Sequence, residues 1–331
     1  MVHKNKVLGG FETYISILSV VCDKKTLYER IPLAERAYSL AKGEDKDAAF
    51  LATLLTAVPK SKENAVLNLL IKCINGPSLT TIDVLKLSKI MSEVRIVEVL
   101  EEKELRKEEL KIYEDKILKN EISVATLISR IVLAEANIVD DPKKTLYVYA
   151  AIAEVIDSPT GKKLREKAVE KSFGLTLKKI KRELEVRKND LEKTIENLKV
   201  LLGVESCEVE MRIKSPESAT LKLEEKGYIN DLIGTRLVFN EVKEAVETAK
   251  KIISNLKNKG KSPSVDDYYS KPKQSGYRGF NINFNLNDIS AEIQISDEET
   301  RKKIEETAPH GLHKSYGVLS MAIVDKFKRY L

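Results

Sequence analysis

Cys207-Glu-Val-Glu-Met-Arg-Ile-Lys-Ser-Pro-Glu-Ser218 is the stretch in which the periodicity of the chain changes, and its reading fixes the fold class. Cys207, Val209, Met211 and Ile213 alternate with polar residues, as in a strand with one apolar face, so Arg212 and Lys214 share the opposite face. Ser215-Pro216 then has the form of a helix N-cap followed by proline at the first helical position, and Lys226-Gly227 supplies the stop. Ser218 falls in the first helical turn, with Lys222 four residues later on the same face. Free backbone amides, the positive end of the helix dipole, a hydroxyl and three cationic side chains can therefore converge on one corner. Such a corner suits a polyphosphate. An ordinary strand-to-helix connection with solvated lysines has the same spacing.

Downstream, Asp231 opens the apolar run Leu232-Ile-Gly-Thr-Arg-Leu-Val-Phe239. A helix is predicted over Glu241 to Lys259, ending at Gly260, followed by a loop from Asp266 to Gly279 and a strand from Asn281 to Leu286. Glu292 and Gln294 alternate with Ile293 and Ile295 and so project from one face of a last strand. Asp231 and Glu292 on adjacent strands would suit Mg²⁺, a hard ion that takes a few carboxylates plus substrate phosphate oxygens. Tyr277, between Gly276 and Arg278, can present a flat ring to a base, although a lone tyrosine more often packs.

Upstream, Leu177, Leu184, Leu191 and Leu198 recur at seven-residue spacing within residues 161–202, predicting a helix docked on its neighbour by a leucine stripe. Residues 161–200 hold 13 Lys+Arg against 7 Asp+Glu, an excess that accounts for the whole formal charge of +6. The basic character is thus local. It makes this connector a candidate RNA contact, while a solvated helix face explains the same lysines. From Phe11 to about Ser158 apolar residues recur at three and four, as in Leu51, Leu54, Leu55 and Val58, which predicts a helical bundle.

At 331 residues the chain exceeds the usual single-domain size, and we expect an N-terminal helical domain over 1–160, the connector over 161–202 and a sheet domain over 203–331, an α+β arrangement. Cys22, Cys73 and Cys207 have no metal-like spacing and are expected to be buried thiols. The histidines are His3, His310 and His313, so positions 4 to 309 offer no imidazole ligand. No apolar run approaches the roughly 20 residues that span a bilayer. The N-terminus lacks a signal-type apolar core, so a cytoplasmic location and no membrane partner are expected. Oligomeric state is not legible.

Taken in order, Arg212-x-Lys214-x3-Ser218-x3-Lys222, Asp231-Leu-Ile-Gly-Thr-Arg236, Tyr268-x3-Pro272-Lys273-x2-Gly276-Tyr277-Arg278 and Glu292-Ile-Gln294 resemble the synthetase domain of the RelA/SpoT homologues, a nucleotidyltransferase-like mixed-sheet fold. The resemblance implies a pyrophosphokinase that moves pyrophosphate from ATP to the 3′-hydroxyl of GDP or GTP, making the alarmone (p)ppGpp of the stringent response. It implies that Arg212, Lys214, Ser218, Lys222 and Arg236 hold ATP, that Asp231 and Glu292 are catalytic and bind Mg²⁺, and that Lys273, Tyr277, Arg278, Asn281 and Gln294 serve the acceptor nucleotide. Three positions depart from the family: Ser275 for asparagine, Asn281 for histidine and Ser296 for arginine. His310 corresponds to a late family histidine. The departures lie on the acceptor side, so an adenosine nucleotide, a tRNA 3′ end, or a silent nucleotide-binding regulator stand as alternatives.

In the N-terminal half, residues 49–58, 127–137 and 144–156 resemble helices of the HD-type hydrolase domain that precedes the synthetase in long homologues. There Thr56-Ala57 stands in place of the His-Asp pair, and Glu135 in place of an aspartate. The resemblance thus implies a degenerate domain without hydrolase activity.

Overall fold

The computed structural model describes residues 11–73, 81–102, 107–139, 141–202, 208–273, 277–286 and 289–307. They fall into two compact units, one of residues up to Arg165 and the other from Glu166 onward.

The first unit is helical. It runs through α1 (Glu12–Val21), α2 (Lys24–Leu40), α3 (Asp45–Leu55), α4 (Glu63–Cys73), α5 (Thr81–Glu101), α6 (Lys107–Leu118) and α7 (Val124–Glu135). A π-helical segment, Thr145–Tyr149, then leads into α8 (Ala150–Ile156). The starts of α2 and α7 are set by side chains that satisfy free amides: Asp23 accepts from the Thr26 amide at 2.8 Å, and Ser123 accepts from the Thr126 amide at 3.3 Å. Residues 49–55 of α3 and 124–134 of α7 are buried all along, so these two helices are the centre of the bundle. Cys22 is a buried free thiol, as expected, while the Cys73 and Cys207 side chains lie outside the described residues.

The predicted connector is not one helix. Residues Ser158–Val186 form α9, with non-helical dihedrals at Phe173, and Lys188–Leu202 form α10 after a break at Arg187. Leu191, Leu198 and Leu202 of α10 are buried in the core of the sheet, with Leu184 of α9 packed against it.

That unit contains β1 (Glu208–Ile213), α11 (Pro216–Lys226), β2 (Ile233–Phe239), α12 (Val242–Asn258), β3 (Ser264–Asp267), β4 (Phe280–Leu286), β5 (Ile289–Asp297) and α13 (Glu298–Thr307). The loop expected from Asp266 begins two residues later, because Ser264–Asp267 pairs with β4 as an exposed edge strand. The strand order is β1-β2-β5-β4-β3. Only β2 and β5 run parallel; the other neighbours are antiparallel. Ile233, Leu237, Ile282, Ile293 and Ile295 turn one face toward Ala245, Ala249, Ile252 and Leu256 of α12, which recur at helical spacing.

The register puts the other residues of each strand on the opposite face, in two rows. Arg212, Gly234, Glu292 and Asn283 form one row across β1, β2, β5 and β4; Glu210, Arg236, Gln294 and Asn281 form the next. Among the described residues no helix is long and apolar enough to cross a membrane.

Candidate active site

The β1-α11 corner is built as the sequence predicts. Ser215 caps α11, accepting from the Ser218 amide at 3.3 Å and donating to the Ser218 hydroxyl at 3.0 Å. Pro216 occupies the first turn, and Gly227 ends the helix in the left-handed region at φ 76°. The Lys214 amide donates to the Leu232 carbonyl at 2.8 Å, which ties the corner to the segment ahead of β2.

That tie brings three of the expected residues together. Lys214 Nζ donates to Asp231 Oδ2 at 2.7 Å, and Lys222 Nζ lies 2.9 Å from Asp231 Oδ1. All three side chains are largely shielded from solvent, with 12–17% exposure. Burial pushes the Asp231 carboxyl up, but the hydrogen bonds and charges of Lys214 and Lys222 outweigh it and hold the group below the usual aspartate range. Burial also lowers Lys214, opposed by Asp231 and assisted by the charges of Lys222 and Arg212.

Arg212 lies over Gly234, where a Cβ would stand 3.4 Å from its Nε. Arg236 sits in the next row and pairs with Glu210 at 3.4 Å, while Arg301 meets the other oxygen of Glu210 at 3.4 Å. Sequence reasoning gave Glu210 no role, although its period-two spacing from Arg212 placed it on this face.

The residues expected to serve the acceptor gather on β4, β5 and the turn before β4. Both oxygens of Glu292 are held by side-chain amides: Gln294 Nε2 donates to Oε2 at 2.8 Å, and Asn281 Nδ2 to Oε1 at 3.4 Å. The Tyr277 hydroxyl donates to Asn281 Oδ1 at 2.9 Å. Burial and the nearby charge of Glu292 raise the Tyr277 phenol far above its ordinary range, against an opposing effect of Arg236. Tyr268 meets the Tyr277 ring edge-on at 5.6 Å. Lys273 Nζ stands 4.3 Å and 5.2 Å from the centroids of these two rings, a cation-π contact. Arg278 is exposed.

Gly279 makes this turn possible. Its φ is 146°, the Tyr268 amide donates to its carbonyl at 2.8 Å, and a Cβ there would come 2.4 Å from the Ile295 carbonyl oxygen. Of the departures from the family pattern, Asn281 is in the network just described and Ser296 is buried on the same face of β5. Ser275 and His310 lie outside the described residues.

Asp231 stands two residues ahead of β2, and Glu292 on β5 is paired with Gly234, so the two carboxylates flank one end of the β2-β5 pair with separate partners. Among the described residues no group of three or more His, Cys, Asp or Glu could hold a metal ion.

Residues 211–316 match the family described as the region found in RelA / SpoT proteins. Small alarmone synthetase 2 from Bacillus subtilis is a similar solved structure, with 23% identity over 45% of this chain and 92% of that one and a TM-score of 0.30. Small alarmone synthetase 1 from the same organism, bound to its product pppGpp, has 19% identity over 46% and 93%, with a TM-score of 0.32. A GTP pyrophosphokinase family protein from Streptococcus pneumoniae has 20% identity over 48% and 85%, with a TM-score of 0.30. No curated protein matches the chain. The part of the chain that builds the polar face and its corner therefore carries a RelA/SpoT region, at residues 211–316.

Proposed function

We propose that the chain is a pyrophosphokinase that transfers the β,γ-pyrophosphoryl group of ATP to the 3′-hydroxyl of GDP or GTP. The observation that carries this reading is the polar face itself. It has a cationic corner at one end, a ring platform at the other, and a carboxylate between them whose two oxygens are both oriented.

In this reading Arg212, Lys214, Ser218, Lys222 and Arg236, with the amides at the start of α11, bind the ATP phosphates. Lys273 and Arg278 meet acceptor phosphates, and Tyr277 stacks on the acceptor base. Glu292 accepts the proton of the 3′-hydroxyl as that oxygen attacks the β-phosphorus, and AMP leaves with the electrons of the broken bond. Little covalent work falls to the protein, so positioning and charge stabilisation do most of the catalysis.

Asp231 and Glu292 fit Mg²⁺ in donor type, and Asp231 Oδ1 is a buried oxygen that faces the Lys222 ammonium at 2.9 Å. When bound there, Mg²⁺ would offset charge on the donor phosphates. Lys214 and Lys222, released from Asp231, would then be free for phosphate.

Asn281 and the buried Ser296 favour a second reading in which the chemistry is kept and the acceptor is an adenosine nucleotide or a tRNA 3′ end. In the helical unit, Thr56 accepts from Arg30 at 3.2 Å and Glu135 pairs with Arg36 at 3.4 Å. Arginine partners at the positions where the resemblance expects metal ligands support a hydrolytically silent domain. The test is incubation of the full chain with labelled ATP, Mg²⁺ and a panel of acceptors. Guanosine 3′-pyrophosphate is the expected product; tight nucleotide binding with no transfer to any acceptor would make the chain a silent regulator instead.

A further inference from the structure

Asn281 stands with its amide between the Tyr277 hydroxyl and the Glu292 carboxylate, and it is buried, with 8% exposure. The orientation of that amide is settled by its neighbours. An ionised carboxylate only accepts, so the NH₂ end must face Glu292; the carbonyl end is left to the phenol, which must donate. Burial and the charge of Glu292 both keep the phenol protonated, consistent with this direction. Gln294, paired with Asn281 across β4 and β5, holds the other carboxylate oxygen. Asn281 holds Oε1 at 3.4 Å and Gln294 holds Oε2 at 2.8 Å, so Oε1 is the oxygen that the chain Tyr277-Asn281 reaches.

We propose that Asn281 is a positioning residue that links the acceptor platform to the base: it transmits the placement of the Tyr277 ring to Oε1 of Glu292. The proposal rests on the pyrophosphokinase reading. Stacking an acceptor base on Tyr277 fixes the ring, the ring fixes the amide, and the amide aims the carboxylate at the 3′-hydroxyl of that same acceptor. Removing the Tyr277 hydroxyl keeps the stacking surface and cuts the link. Its cost therefore falls on kcat and spares acceptor KM.

The test is steady-state kinetics on the wild-type chain, Tyr277→Phe, Asn281→Leu, the double variant and Asn281→His. Tyr277→Phe should lower kcat about tenfold, the loss of one hydrogen bond in a low-dielectric site, with acceptor KM changed less than about twofold. Asn281→Leu should lower kcat to a similar degree, and the double variant should be no worse than the poorer single variant, because both cut one chain. Asn281→His, which keeps a donor and an acceptor at opposite ends of a ring, should recover part of the loss. Unchanged kcat in Tyr277→Phe, or multiplicative losses in the double variant, overturns the proposal and leaves the transferase reading intact. A wild-type chain inactive toward every acceptor overturns both. Urea unfolding of the same variants separates folding defects: a kcat loss that tracks lost stability, with no recovery in Asn281→His, counts against a positioning role.

Discussion

Asp231 is held by two lysines, so its part in folding can be measured apart from its proposed part in function. Its two oxygens face Lys214 and Lys222, so Asp231→Asn leaves two shielded ammonium groups without their counter-charge and should cost about 1–3 kcal/mol at neutral pH. The sign of the pH dependence follows from its depressed pKa. An unfolded aspartate titrates near about 3.9, and the folded group lower, so the stabilisation is full above that value and fades as pH falls through the folded pKa. In urea denaturation, the gap between wild type and Asp231→Asn should be widest near neutral pH and should shrink below about pH 4; a gap that does not change with pH contradicts the ion-pair geometry. The pairing of Glu292 with Gln294 on one face was legible from period-two spacing alone. That Asp231 is held by the two lysines was not, because it depends on how the segment before β2 folds back against the β1-α11 corner.

At the scale of elements, two glycines on one sheet have opposite reasons to be there. Gly279 has a φ of 146° and no room for a Cβ against the Ile295 carbonyl. Gly279→Ala should therefore lose about 1–3 kcal/mol from backbone strain alone, measured by urea denaturation, and pyrophosphate transfer with it. At Gly234 a Cβ would make an ordinary contact with Arg212, so Gly234→Ala should fold with near wild-type stability and change KM for ATP little. The reverse pattern would mean that the turn before β4 is not what places Tyr277. The helix α10 gives a third test. Leu198 is fully buried in the sheet core, and Leu198→Ala should cost about 2–5 kcal/mol, a loss that a solvated spacer would not show. Here the sequence was half legible: Ser215-Pro216 and Gly227 marked α11 correctly, whereas the seven-residue leucine spacing ran across the break at Arg187 and concealed two helices. The edge strand β3 was missed because all four of its residues are exposed, which leaves no apolar alternation to read.

For the molecule as a whole, the α+β class and the change from helical to strand periodicity were legible because binary pattern follows burial. The units divide between Arg165 and Glu166. That point lies within helix α9, close to where the basic excess begins. The helical unit is expected to be silent as a hydrolase. The full chain, given Mn²⁺ and a guanosine 3′-pyrophosphate, should release no pyrophosphate, and release that depends on the metal would contradict that reading. The most direct measurement is transfer from labelled ATP with Mg²⁺ to GDP, GTP, adenosine nucleotides and tRNA, run beside Glu292→Gln. The expected result is a labelled 3′-pyrophosphate on GDP or GTP, reduced at least about a hundredfold in Glu292→Gln, the usual size of a lost general base. No labelled product with any acceptor, or a Glu292→Gln variant as fast as wild type, would contradict it.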